Sequence, residues 1–94
     1  MILVRNCFTA KPGNAKKLAT MLKEAAAAGE IPRFRVLTDL IGDFNRVVLE
    51  WEAENLTEVD ARLRDYTTNP KFREKMAGYT DLWSTGYREI LQIT

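Results

Sequence analysis

The 94-residue chain contains no histidine and only one cysteine, Cys7. Without imidazole it lacks the commonest general base and the commonest metal ligand together. One cysteine allows no internal disulfide, so stability rests on a packed core and on whatever association adds. No stretch approaches the roughly 20 apolar residues that cross a bilayer. The opening M-I-L-V-R meets a charge too early for the hydrophobic region of a signal peptide. A soluble cytoplasmic protein, not bound to a membrane, is expected. Neither sign of charge is in surplus, with 14 Lys and Arg against 13 Asp and Glu. A nucleic-acid binder would gather basic residues on one element, and Arg33-Phe34-Arg35 reads better as a solvated strand edge. No nucleic acid is expected as a partner.

What is present is organised around Asn45–Asn55, N-R-V-V-L-E-W-E-A-E-N. Val47, Leu49, Trp51 and Ala53 alternate with Arg46, Val48, Glu50 and Glu52, the period of a strand with one dry face. A Trp in mid-face suits a strand inside a sheet. Ile2–Ala10 reads as another strand, with Ile2, Val4, Asn6 and Phe8 on one side and Leu3, Arg5, Cys7 and Thr9 on the other. Pro12-Gly13 breaks it, Asn14 caps a helix carrying Leu18, Met21, Leu22 and Ala25, and Gly29 ends that helix. A strand from Arg33 to Leu40 follows Pro32, its dry face Phe34, Val36 and Leu40, and turns through Gly42-Asp43-Phe44.

Asn55-Leu56-Thr57-Glu58 is a capping box opening a second helix lined by Leu56, Val59, Leu63 and Tyr66. Thr67, Thr68 and Asn69 interrupt it, and Asn69-Pro70 restarts it as cap and first helical residue. Phe72, Met76, Tyr79 and Trp83 extend the apolar stripe to Gly86, and Tyr87–Thr94 makes a last strand. The order β-α-β-β-α-β predicts one α+β domain, residues 1–94, of ferredoxin-like type. Its four-stranded antiparallel sheet would carry both helices on one face, with the Asn45–Ala53 strand between the first and second strands and the last outside the first.

This order resembles the dimeric α+β barrel superfamily over the whole chain. The run G-D-F-N-R-V-V-L-E-W-E-A-E-N-L from Gly42 to Leu56, with N-P-K-F from Asn69, resembles the NIPSNAP-type domain. The opening M-I-L-V-R-N, with K-P-G-N-A-K-K-L and Y-T-T-N-P-K-F-R-E-K-M, is similar to the small haem-degrading monooxygenases of that superfamily. Those enzymes use a strand Asn, a helix Trp and an iron-ligating helix His. Asn6 matches the first, but Tyr66 stands at the Trp position and Met76 at the His position. The resemblance therefore implies no haem, and no cofactor is expected.

Asn6 is the one polar residue on its strand face, and a buried amide needs a partner from the protein or a ligand. With Trp51, Tyr66, Phe72 and Met76 it is expected to bound a pocket between sheet and second helix, fit for a small apolar or aromatic molecule. The commoner role of Trp51, Tyr66, Phe72 and Met76 is that of core residues, and the commoner role of Asn6 is an amide bonded to neighbouring backbone. Cys7 reads as a structural thiol. Two further readings compete with a binding domain: a cofactor-independent monooxygenase acting on an aromatic or quinol substrate, as the superfamily implies, and a domain that docks on another protein. The outward sheet face mixes Leu3, Leu37 and Val48 with Arg5, Arg35, Glu50 and Glu52. This mixture suits a homodimer packed sheet to sheet.

Overall fold

A computed structural model describes all residues, Met1–Thr94. The strands are β1 (Ile2–Ala10), β2 (Arg35–Thr38), β3 (Arg46–Ala53) and β4 (Trp83–Gln92). The helices are α1 (Ala15–Ala28), α2 (Leu56–Thr68) and α3 (Pro70–Lys75), followed by a single 3-10 turn at Tyr79–Asp81. The sheet runs β2-β3-β1-β4 with every pairing antiparallel. This is the ferredoxin-like α+β arrangement that the element order predicts. No helix is long and apolar enough to cross a membrane.

Register assigns each side chain to a face. Val4 pairs with Trp51 and Ile90, Asn6 with Leu49 and Arg88, and Phe8 with Val47 and Gly86, all on the side of the helices. There Val4, Val47, Trp51 and Ala53 are almost wholly buried with Leu18 and Leu22 of α1 and Val59 of α2. On the opposite face a row of alternating charge crosses the sheet as Arg35, Glu50, Arg5 and Glu89. Arg35 Nη2 lies 2.9 Å from Glu50 Oε1, and Arg5 Nη1 lies 3.7 Å from Glu89 Oε2. Beside this row lie Leu37, Val48, Cys7 and Tyr87, and on its other side Glu52, Leu3 and Leu91.

The helix breaks follow local chemistry. Asn55 Oδ1 accepts from the Glu58 N–H at 2.8 Å, and Glu58 Oε2 in turn accepts from the Glu54 N–H at 2.8 Å, a capping box closed one residue early. Asn69, extended as a residue before proline must be, accepts at Oδ1 from the N–H groups of Lys71 and Phe72. Asn14 sits at the start of α1 without a side-chain cap; its own N–H closes a turn onto the Lys11 carbonyl.

Several expected element ends are corrected, and β2 begins at Arg35 rather than Arg33. β2 stops at Thr38, because Asp39 Oδ1 accepts from the Arg46 N–H at 2.8 Å and closes a loop over residues 39–45. Leu40 consequently leaves the dry face and is 96% exposed, with Ile41 and Phe44 beside it. The stripe after Asn69 ends as a helix at Lys75, and the left-handed Gly78 turns the chain away. Trp83 then opens β4 and rests on Phe8, ring centroids 5.4 Å apart.

Gly86 and Gly29 serve packing rather than chain reversal. Gly86 lies inside β4, where an added Cβ would meet the Phe8 ring at 3.0 Å and the Cys7 carbonyl at 3.3 Å. Gly29 follows α1 in a right-handed conformation, where a Cβ would meet the Phe72 ring at 3.1 Å. Gly86→Ala is expected to lower the unfolding free energy by about 1–3 kcal/mol, since a rigid carbonyl and a packed ring must both yield. Urea denaturation of the variant checks this, and an unchanged midpoint would show that the ring moves freely.

Candidate functional site

Between the sheet and the pair α2–α3 lies a half-enclosed cavity of about 170 Å³, with ten hydrophobic residues among the thirteen that line it. Its floor is the sheet: Asn6 and Phe8 from β1, Leu49 and Trp51 from β3, and Arg88 from β4. Leu63, Tyr66 and Thr67 of α2 form one wall, and Phe72, Met76 and Tyr79 form another. Asn6, Trp51, Tyr66, Phe72 and Met76, the residues singled out from the sequence, all lie around this one space. Helical spacing carries Phe72 and Met76 to it, while strand alternation carries Asn6 and Trp51.

Trp51 is 1% exposed and meets the Tyr66 ring edge to face at 5.8 Å; Tyr66 stacks on Phe72 at 5.6 Å. These contacts build the inner wall from three rings packed in series. The lining residues that solvent reaches freely are Thr67 and Arg88, so the mouth opens between the end of α2 and β4. Asn6 does not turn its amide onto backbone. Its Oδ1 accepts from Arg88 Nε at 2.7 Å, a bond between residues 82 apart in the chain. Sequence reasoning missed Arg88 because β4 there alternates weakly and the residue is exposed; only its pairing opposite Asn6 brings it to the site.

The Tyr66 hydroxyl is buried without a hydrogen-bond partner. Burial pushes its phenol above the ordinary value, against the pull of the nearby Arg62 guanidinium. Because the folded pKa is raised, the stability linked to this group is intact at neutral pH and lost only as pH climbs past the ordinary phenol range of about 10. Tyr66 is thus a neutral donor under ordinary conditions, not a base. No carboxylate or imidazole lines the cavity.

A larger space of about 1020 Å³ between the end of α1 and α2 is a polar, open trough with three hydrophobic residues among eleven. It reaches Tyr66 but not Asn6, and it offers no apolar floor. No cluster of three or more Cys, Asp and Glu stands close enough to hold a metal ion. Cys7 is buried on the opposite sheet face, with no part in the cavity. The residues present do not fit haem either. Met76 is half-buried beside room for about one six-membered ring, not the four pyrroles of a porphyrin.

No protein-family model matches the sequence, and no curated protein sequence matches it. Solved structures do match. An uncharacterised NIPSNAP-domain protein of Burkholderia xenovorans superposes with a TM-score of 0.86 at 14% identity, covering 100% of this chain and 95% of that one. A NIPSNAP-like domain protein of the same organism gives 0.84 at 21% identity, over 99% and 84%. A candidate antibiotic biosynthesis monooxygenase of Chloroflexus aurantiacus gives 0.71 at 17% identity, over 99% and 92%. The chain therefore has the ferredoxin-like α+β fold of NIPSNAP-domain structures, shared more distantly with a monooxygenase-type one.

Proposed function

We propose that this chain is a homodimeric NIPSNAP-like domain that binds a small apolar or aromatic molecule between its sheet and helices. The cavity carries the reading: about 170 Å³, with ten hydrophobic residues among thirteen and a bonded Asn6–Arg88 pair beside them. An engineered apolar cavity of about 150 Å³ takes up benzene, so this one suits a single ring. The supporting observation for the dimer is the outer sheet face. Glu50 is 6% exposed in the single chain and Val48 5%, while Leu37, Tyr87 and Leu91 stand partly open around them. A face with apolar rows flanking an internally paired charged row fits a second copy better than water.

Titration with toluene and with phenol, followed by NMR, tests the binding role. Signals of Leu49, Trp51, Tyr66 and Phe72 are expected to shift together, and no shift with any one-ring arene would end the reading. The monooxygenase alternative draws on the fold likeness to the Chloroflexus aurantiacus structure and on the wager that Asn6 orients a substrate oxygen beside Trp51 and Tyr66. With no base on the cavity wall, a phenolic substrate would have to arrive ionised. Oxygen uptake with hydroquinones and naphthols separates the two. The binding domain consumes none, and steady consumption would make the chain an oxygenase.

A further inference from the structure

We propose that Arg88 makes the cavity selective for anions, so that its ligand is a one-ring aromatic bearing a carboxylate or an ionised hydroxyl. This rests on the cavity being a binding site, as proposed above, and it names the ligand's class. Arg88 is the sole charged residue among the thirteen that line the space. The four ion pairs of the chain, Arg5–Glu89, Arg35–Glu50, Arg62–Glu58 and Arg64–Asp60, leave it without a carboxylate. On its own face its neighbours are Gly86 and Ile90 along β4 and Asn6 across the pair, none of them acidic. The adjacent Glu89 belongs to the other face, where Arg5 holds it.

The bond to Asn6 separates Arg88 from an ordinary solvated arginine. It occupies Nε at 2.7 Å and leaves both terminal nitrogens, with their four N–H donors, free. Tied at Nε to a half-buried amide, the guanidinium is held at the mouth before a ligand arrives, which reduces the ordering cost of binding. A planar fork of that kind matches the two oxygens of a carboxylate. The ring would sit against Trp51 and Phe72, with its anionic group at the solvent end beside Arg88. Asn6 is then a positioning residue: an isolated amide on an apolar strand, present to aim the guanidinium. A lysine could also donate to Asn6, but only arginine keeps two coplanar terminal nitrogens free beside that bond.

Calorimetric titration of the full chain with benzoate, its neutral isostere benzamide, and toluene tests this. Benzoate is expected to bind about tenfold or more tighter than benzamide, because charge-assisted hydrogen bonds are roughly twice as strong as neutral ones. That margin should shrink as salt is added. Arg88→Gln is expected to bring benzoate down to the affinity of benzamide. Asn6→Asp, which gives Arg88 an internal counter-ion at the same position, should erase the margin as well. Arg88 is exposed, so the thermal midpoint of Arg88→Gln should match the parent and show that the fold persists. Equal affinities in the parent, or a margin that survives Arg88→Gln, overturns the assignment of Arg88 while leaving the apolar cavity a binding site. Failure of all three compounds to bind overturns both readings.

Discussion

Truncating Trp51 to Ala is expected to lower the unfolding free energy by about 3–5 kcal/mol, the usual loss for a large aromatic removed from a core. That is a large share of the roughly 5–15 kcal/mol that holds a small domain folded. Trp51 sits on β3, one of the two inner strands of the sheet, is 1% exposed, and braces Tyr66, which in turn braces Phe72. Loss of the indole removes the inner wall of the cavity and joins its volume to the space that is left. Because a stability loss alone would fit any core Trp, added ligand is the informative measurement. A bicyclic arene such as indole should recover part of the lost stability in Trp51→Ala by mass action and do nothing for the parent chain. Denaturation curves with and without indole read this directly. A variant that gains nothing would mean that the wall collapses instead of leaving room.

Asp in place of Leu91 or Leu37 is expected to convert the proposed dimer to monomer without unfolding it. Leu91 is 43% exposed and Leu37 38% exposed in the single chain, so a carboxylate is solvated there when the sheet is free. In a sheet-to-sheet dimer the same carboxylate would be buried without a partner, which is prohibitive. Glu50→Ala is subtler. The Arg35 side chain opposite it is 66% exposed, so losing the pair costs the isolated chain little. Once a second sheet covers Arg35, the stranded charge should cost about 3–5 kcal/mol, so the variant weakens the dimer and spares the monomer. Light scattering across a dilution series decides the matter. A monomer mass for the parent at micromolar concentration would sink the dimer, as would a dimer that survives Leu91→Asp.

The sequence by itself determined the element order, the faces of β1 and β3, the restart at Asn69-Pro70 and hence the strand order of the sheet. These follow from short-range causes. Alternation along Val47, Leu49, Trp51 and Ala53 chooses a face within one strand, and Asn55 and Asn69 cap their helices through bonds only two or three residues long. Tertiary structure alone decided where β2 stops, where β4 starts and what lies opposite Asn6. Leu40 has the right parity for the dry face, yet the Asp39–Arg46 bond turns the backbone away before it can be used. Gly86 reads as a terminator by composition and proves to be a strand residue, because the Phe8 ring needs the space a Cβ would fill. The meeting of Asn6 with Arg88 spans 82 residues and exists only in the β1–β4 register. A local pattern can show that an amide on an apolar face needs a partner; only the pairing of distant strands supplies the partner and, with it, the charge at the mouth of the cavity.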